Sequence, residues 1–166
     1  MATPDNQLIS PTSSSSYPKW DVFLSFCGKD TRRNIVSHLY TALHNEGIET
    51  FKDNLELQKG EEISSALPAA IRDSAVAIVI ISKNYASSAW CLDELLDILD
   101  CKRTNGQLVI PVFFYVDPSD VRYQKGSFGE AIEKHNKRYK SEIVEKWISA
   151  LVEIADMSGQ HLKEAT

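Results

Sequence analysis

Apolar positions along this chain switch repeatedly between short continuous runs and helical spacing. The run WDVFLSF, residues 20–26, is short, rich in β-formers and halted by Gly28, which predicts a strand. Ile35, Leu39, Ala42 and Leu43 then recur at helical spacing, with Asp30 or Thr31 as the expected N-cap and Gly47 where a left-handed C-cap is wanted. A second strand, GIETF, follows directly, and after it the polar loop KDNLELQKG. Ile63, Ala66, Leu67, Ala70 and Ile71 mark another apolar helix face. Pro68 falls inside it and predicts a kink or a late start, because an interior proline costs a helix about 3 kcal/mol. AVAIVIIS (75–82) and LVIPVFFYV (108–116) lack polar alternation, as strands covered on both faces do. Between them SSAWCLDEL (87–95) opens a helix that Gly106 ends.

Asp117 and Pro118 read as a cap and first-turn pair, and Ser127 with Glu130 as a capping box for a helix through about Tyr139. A last helix aligns Val144, Trp147, Ile148, Leu151 and Ile154 and closes near Gly159, leaving QHL as a short strand. Alternation of strands and helices on this scale predicts a parallel sheet with right-handed crossovers and helices on both faces. Five strands are too few to close a barrel, so the expected fold is an α/β, flavodoxin-like three-layer sandwich. Residues 1–18, MATPDNQLISPTSSSSYP, carry almost no apolar periodicity and are expected to be a disordered leader ahead of one domain, residues 19–166.

Composition narrows the partners. A net charge of −5 and a pI near 5.4 give no footprint for a polyanion, so nucleic acid is not expected. No apolar run approaches the roughly 20 residues that cross a bilayer, and the N-terminus lacks a basic-then-apolar signal. A cytoplasmic or nuclear chain without membrane contact is expected. Cys27, Cys91 and Cys101 form no CxxC pair, which suits a reducing compartment, reduced thiols and no metal.

In such a sheet ligands bind outside the carboxyl ends of the strands, here the loops CGKDT, KDNLELQKG and SKNYASS. The third leads into WCLDEL. On a helical wheel Cys91, Leu92, Leu95, Leu96, Ile98 and Leu99 span one apolar arc, while Asp93, Asp97 and Asp100 cluster opposite. Glu94 lies at the margin of the arc on the side of Trp90. A half-desolvated acid beside an aromatic is the setting of a functional carboxylate, although helix margins also carry glutamate merely as a boundary residue. No GxGxxG, GxSxG, HExxH or Walker A pattern occurs, and the basic run EKHNKRYK is expected to be a solvated helix end.

DVFLSF with GKDTRRN, the FKD-to-KGEEI loop, ISKNYASSAWCLDEL, and VIPVFFYVDPSDVRYQKGSFGEA together resemble the plant-type TIR (Toll/interleukin receptor) domain, in its order and spacing. The resemblance implies a flavodoxin-like fold and cleavage of NAD+ at its nicotinamide–ribose bond, as substrate and with no further cofactor. It implies a catalytic role for Glu94, and substrate contacts at Phe26, Cys27, Gly28, Asp53 and Trp90. One carboxylate would suffice, because nicotinamide in NAD+ is already cationic and leaves neutral, without the acid that glycosidases need. What remains is to hold the ribose and stabilise the positive charge developing at its anomeric carbon.

The resemblance also implies homotypic association with other TIR domains, through Ser37 and His38 on the first helix and the region of Gly126. Two departures stand out. The family pattern SFRG reads SFCG here, so Cys27 replaces a guanidinium with up to five donors, and Lys29 is only a flexible point charge in partial compensation. The family's final helix is absent after HLKEAT, which predicts an apolar flank on the sheet. The expected function is therefore NAD+ cleavage in intracellular defence signalling, active on self-association; the alternative is a non-catalytic module that binds other TIR proteins. A phospho-receiver of the same fold is disfavoured, because Ser82 and Lys83 stand where it needs an aspartate.

Overall fold

The structure, a computed structural model, describes residues 19–52 and 61–163, the side chains of 61–66 excepted. Five parallel strands form one sheet in the order β2-β1-β3-β4-β5: β1 Trp20–Phe26, β2 Thr50–Lys52, β3 Ser74–Ile81, β4 Leu108–Phe114 and β5 Gln160–Leu162. The flavodoxin-like α/β architecture expected from the sequence is the one observed. All four strand pairings are parallel, which leaves helices as the connections.

After β1 the chain turns at once into α1 (Gly28–Thr31), a π-helical segment over Arg32–Val36, and α2 (Ser37–Asn45). Neither Asp30 nor Thr31 caps this helix. It starts from Cys27, whose carbonyl accepts from the amides of Asp30 and Thr31 and from Thr31 Oγ1. Asp30 is thereby released for a long-range role. The next helix, α3 (Glu61–Arg72), runs through Pro68 rather than starting after it, and buries Leu67, Ala70 and Ile71. Helix α4 (Ala89–Asn105) is capped by Ser88, whose hydroxyl accepts from the Cys91 amide, and ends at Gly106 in the left-handed conformation, φ 69°. Asp117 caps α5 (Pro118–Arg122) by accepting from the Ser119 amide, as the Asp-Pro pair predicts.

The capping box expected at Ser127 does not form. Helix α6 (Ser127–Arg138) has Gly126 as its N-cap at φ 59°, and Ser127 Oγ donates instead to the Lys83 carbonyl at 2.9 Å. Helix α7 (Ser141–Ala155) buries Val144, Trp147, Leu151 and Ile154, with Ile148 packed at the margin. Among the described residues no helix is long and apolar enough to cross a membrane.

Register divides the core. Phe23, Ala77, Val79, Val109 and Phe113 point to the face covered by α3, α4, α6 and α7. Val22, Leu24, Phe26, Ile80 and Val112 point to the other, against the π-helical segment and α2. The adjacent tips of β1 and β3, joined from Trp20↔Ser74 to Phe26↔Ile80, carry two of the three loops that bear the candidate chemistry.

Candidate functional site between two helices

A groove of about 170 Å³ opens between α3 and α4. One wall is apolar: Leu67, Pro68 and Ile71. The other carries Trp90, Asp93, Glu94 and Asp97 from successive turns of α4. Glu94 is only 5% exposed, deeper than the half-buried margin that the helical wheel predicts, whereas Trp90 at the first turn remains 40% exposed. A carboxylate held out of bulk water beside an aromatic can stabilise a positive charge far better than one in solvent.

The acidic stripe on α4 is not simply solvated. Asp93 Oδ1 accepts from the Trp147 indole of α7 at 2.9 Å. Burial raises the carboxyl of Asp97 above its ordinary range, and the negative charges of Asp93 and Asp100 add to the rise while Arg72 opposes it.

Behind the groove lies a polar layer that sequence periodicity does not reveal. Tyr85, in a 3₁₀ turn over Tyr85–Ser87, is fully buried. Its hydroxyl donates to the Cys91 carbonyl at 3.2 Å and lies 2.8 Å from Ser25 Oγ. Since a phenol has one proton and it goes to Cys91, Ser25 must be the donor in the second bond. Burial raises Tyr85 well above its ordinary range, and electrostatic repulsion from Cys91 and Glu94 adds to this, so it stays a neutral donor. The β1 tip is thereby tied to the first turn of α4, and Cys91 Sγ adds a contact to the Phe26 carbonyl at 3.6 Å.

Other expected site residues sit elsewhere. The Phe26 ring is buried on the opposite sheet face, with the Arg32 guanidinium 5.1 Å from its centroid. Cys27 is buried in the same core cluster as Tyr85 and Cys91, and all three cysteines are buried thiols. Neither Phe26, Cys27 nor Gly28 is in the groove wall. Asp53 lies outside the described residues. Ser37 and His38 are exposed on α2, and Gly126 is exposed at the start of α6. Among the described residues there is no group of three or more potential metal-ligating side chains.

Sheet order, helical layers and an acid-lined groove between α3 and α4 define a flavodoxin-like α/β domain. Its family is specific: the TIR domain model matches residues 19–166, and the chain belongs to that family. It is 47% identical over 156 residues to disease resistance protein RPV1 of Vitis rotundifolia, covering 92% of this chain and 11% of that protein. It is 48% identical over 153 residues to TMV resistance protein N of Nicotiana glutinosa, covering 91% of this chain and 13% of that protein. The chain thus spans a small part of the length of these relatives. The TIR domains of the activated Roq1 resistosome, which directly recognizes the pathogen effector XopQ, superpose with a TM-score of 0.80 at 46% identity. That match covers 87% of this chain and 88% of the other.

Proposed function

We propose that this TIR domain cleaves NAD+ at the nicotinamide–ribose bond, with Glu94 as the catalytic group. The observation that carries the reading is the burial of the Glu94 carboxylate in a groove whose open end holds Trp90. A ribose lying there would offer a hydroxyl to the carboxylate. As the C–N bond lengthens, its electron pair goes to the nicotinamide ring nitrogen, and the growing positive charge on the sugar is stabilised by the same carboxylate. Nicotinamide, cationic while bound, leaves neutral with that pair and needs no acid; water then adds to the anomeric carbon and releases its proton to solvent. Trp90 is suited to pack on the nicotinamide or ribose, and a substrate contact at Asp53 remains part of the proposal on the family resemblance alone. NAD+ is the substrate, and no cofactor is required.

The relatives are named for disease resistance, and we infer that this domain serves the same kind of signalling in the cytoplasm or nucleus. Activity on self-association is part of the proposal, with Ser37 and His38 of α2 and the Gly126 region in contact between copies. Exposure of those residues suits such a contact. Cys27 supplies no guanidinium, so turnover is expected to be slow.

Nicotinamide release from NAD+ at high protein concentration tests this directly. The wild type should release it slowly, Glu94→Ala should release none, and Cys27→Arg should be faster than wild type. Equal release from wild type and Glu94→Ala overturns the assignment of Glu94. Absence of release from all three, with self-association intact, leaves a domain that works by binding other TIR domains.

A further inference from the structure

We propose that Asp30 is a positioning residue that holds the loop 82–88 and the first turns of α4, hence Trp90 and Glu94, in register with the tip of β1. The inference rests on the reading of Glu94 just given, and adds a residue to it. Asp30 lies in α1, directly after β1, yet its side-chain hydrogen bonds go to the loop after β3. Oδ2 accepts from Ser82 Oγ at 2.6 Å and from the Asn84 amide at 2.7 Å, and Oδ1 accepts from Asn84 Nδ2 at 2.7 Å. One carboxylate therefore joins α1, which Cys27 caps at the tip of β1, to the loop that delivers α4.

The chemistry makes this the dominant tie. Hydrogen bonds to an ionised group are about twice as strong as neutral ones, and three converge here. Burial alone would raise the Asp30 carboxyl, but the bonds from Ser82 and Asn84, with the Lys29 charge, outweigh it and hold the group below its ordinary range. It is a carboxylate throughout the physiological range. Other ties to the same loop involve no carboxylate: Ser127 Oγ on the Lys83 carbonyl at 2.9 Å, His135 Nε2 beside the Ala86 carbonyl at 2.8 Å, and Tyr85 with Ser25. Of these, only Tyr85 also reaches β1.

A segment held this way should keep Glu94 in place without touching substrate. Its loss should move the catalytic rate more than substrate affinity, since small misplacement of a reacting group costs up to about 100-fold in rate. Asp30→Asn removes the charge and leaves one acceptor oxygen for three donors; Ser82→Ala removes one bond and leaves the carboxylate.

The test combines kinetics with amide hydrogen exchange on the intact chain. For Asp30→Asn we expect kcat for nicotinamide release to fall roughly tenfold or more with KM within about twofold. Exchange in the segment 83–94 should speed up roughly tenfold while β4 stays protected. Ser82→Ala should show the same pattern, smaller. Unchanged exchange in 83–94 for Asp30→Asn overturns the proposal, as does wild-type kcat in that variant. Exchange rising equally in β4 means Asp30 merely stabilises the whole fold, and also overturns it. If wild type and all variants release no nicotinamide, the proposed function fails, and exchange in 83–94 alone decides the role of Asp30.

Discussion

At the scale of single residues, the groove is built from acids in different states on one helix. Glu94 is buried, Asp93 is occupied by the Trp147 indole, and Asp97 is held above its ordinary range by burial and by its acidic neighbours. A raised carboxyl has a definite thermodynamic sign. The folded state holds a proton more tightly than the unfolded chain, so stability falls as pH rises from the unfolded pKa through the higher folded one. At neutral pH, ionised Asp97 destabilises the fold. Asp97→Asn should therefore melt at a higher temperature than wild type at pH 7, and the gain should shrink to nothing as the buffer is taken below the ordinary aspartate range. A gain of the same size at every pH would mean that packing rather than charge is responsible. The order of acids along α4 is visible in the sequence, as is the special position of Glu94. Its depth is not, because that depends on Leu67, Pro68 and Ile71 arriving from another helix. The carboxylate of Asp30 shows the same limit more sharply. Its spacing from Gly28 suggests a local cap, yet its partners lie 52 and 54 residues away.

At the scale of elements, what was legible in the chain was local. Unbroken apolar runs mark β1, β3 and β4 within a residue or two, and the Asp117–Pro118 pair marks the start of α5. The π-helical segment over Arg32–Val36 has no such signal, nor does the true start of α6, where a plausible capping box is outcompeted. There the two glycines of GSFG have separate causes. Gly126 sits at φ 59° and ψ −129°, a region that is strongly unfavourable for side chains with a Cβ. Gly129 has an ordinary helical backbone, but a Cβ on it would lie 2.4 Å from the Gln124 carbonyl oxygen. That carbonyl cannot easily retreat: Gln124 is itself at φ 50°, anchored by its side-chain amide donating to the carbonyls of Val121 and Arg122. In an open helix, glycine to alanine stabilises by about 0.5–1 kcal/mol. Here the sign should reverse, with Gly129→Ala costing about 1–3 kcal/mol from overpacking in urea unfolding. An alanine variant as stable as wild type would show that the α5–α6 connection yields freely.

At the scale of the whole molecule, the two faces of the sheet are unequal, and the site lies on the fuller one. One face is packed by α3, α4, α6 and α7 with residues such as Phe23, Val79 and Phe113 fully or nearly fully enclosed. On the other, the π-helical segment and α2 cover Val22, Leu24 and Ile80, while Val76, Ile78 and Phe114 are only partly buried and Leu108 is 57% exposed. The groove holding Glu94 is thus braced by a continuous core, and the exposed Ser37 and His38 lie on a helix packed against the opposite face. Strand β4 allows the asymmetry to be measured, because neighbouring positions on it face opposite ways. Phe113 is 1% exposed and rests against the His161 ring of β5, with centroids 5.2 Å apart. Its truncation to alanine should leave a cavity and cost about 3–5 kcal/mol. Leu108 contributes little to either cluster, so Leu108→Ser should change stability by no more than about 0.5 kcal/mol, as surface substitutions do. Urea unfolding of the two variants, at a concentration where the protein is monomeric, gives the comparison. A loss for Leu108→Ser approaching that for Phe113→Ala would mean that the second face is closed in the isolated domain, and the two-sided account of its packing would have to be abandoned.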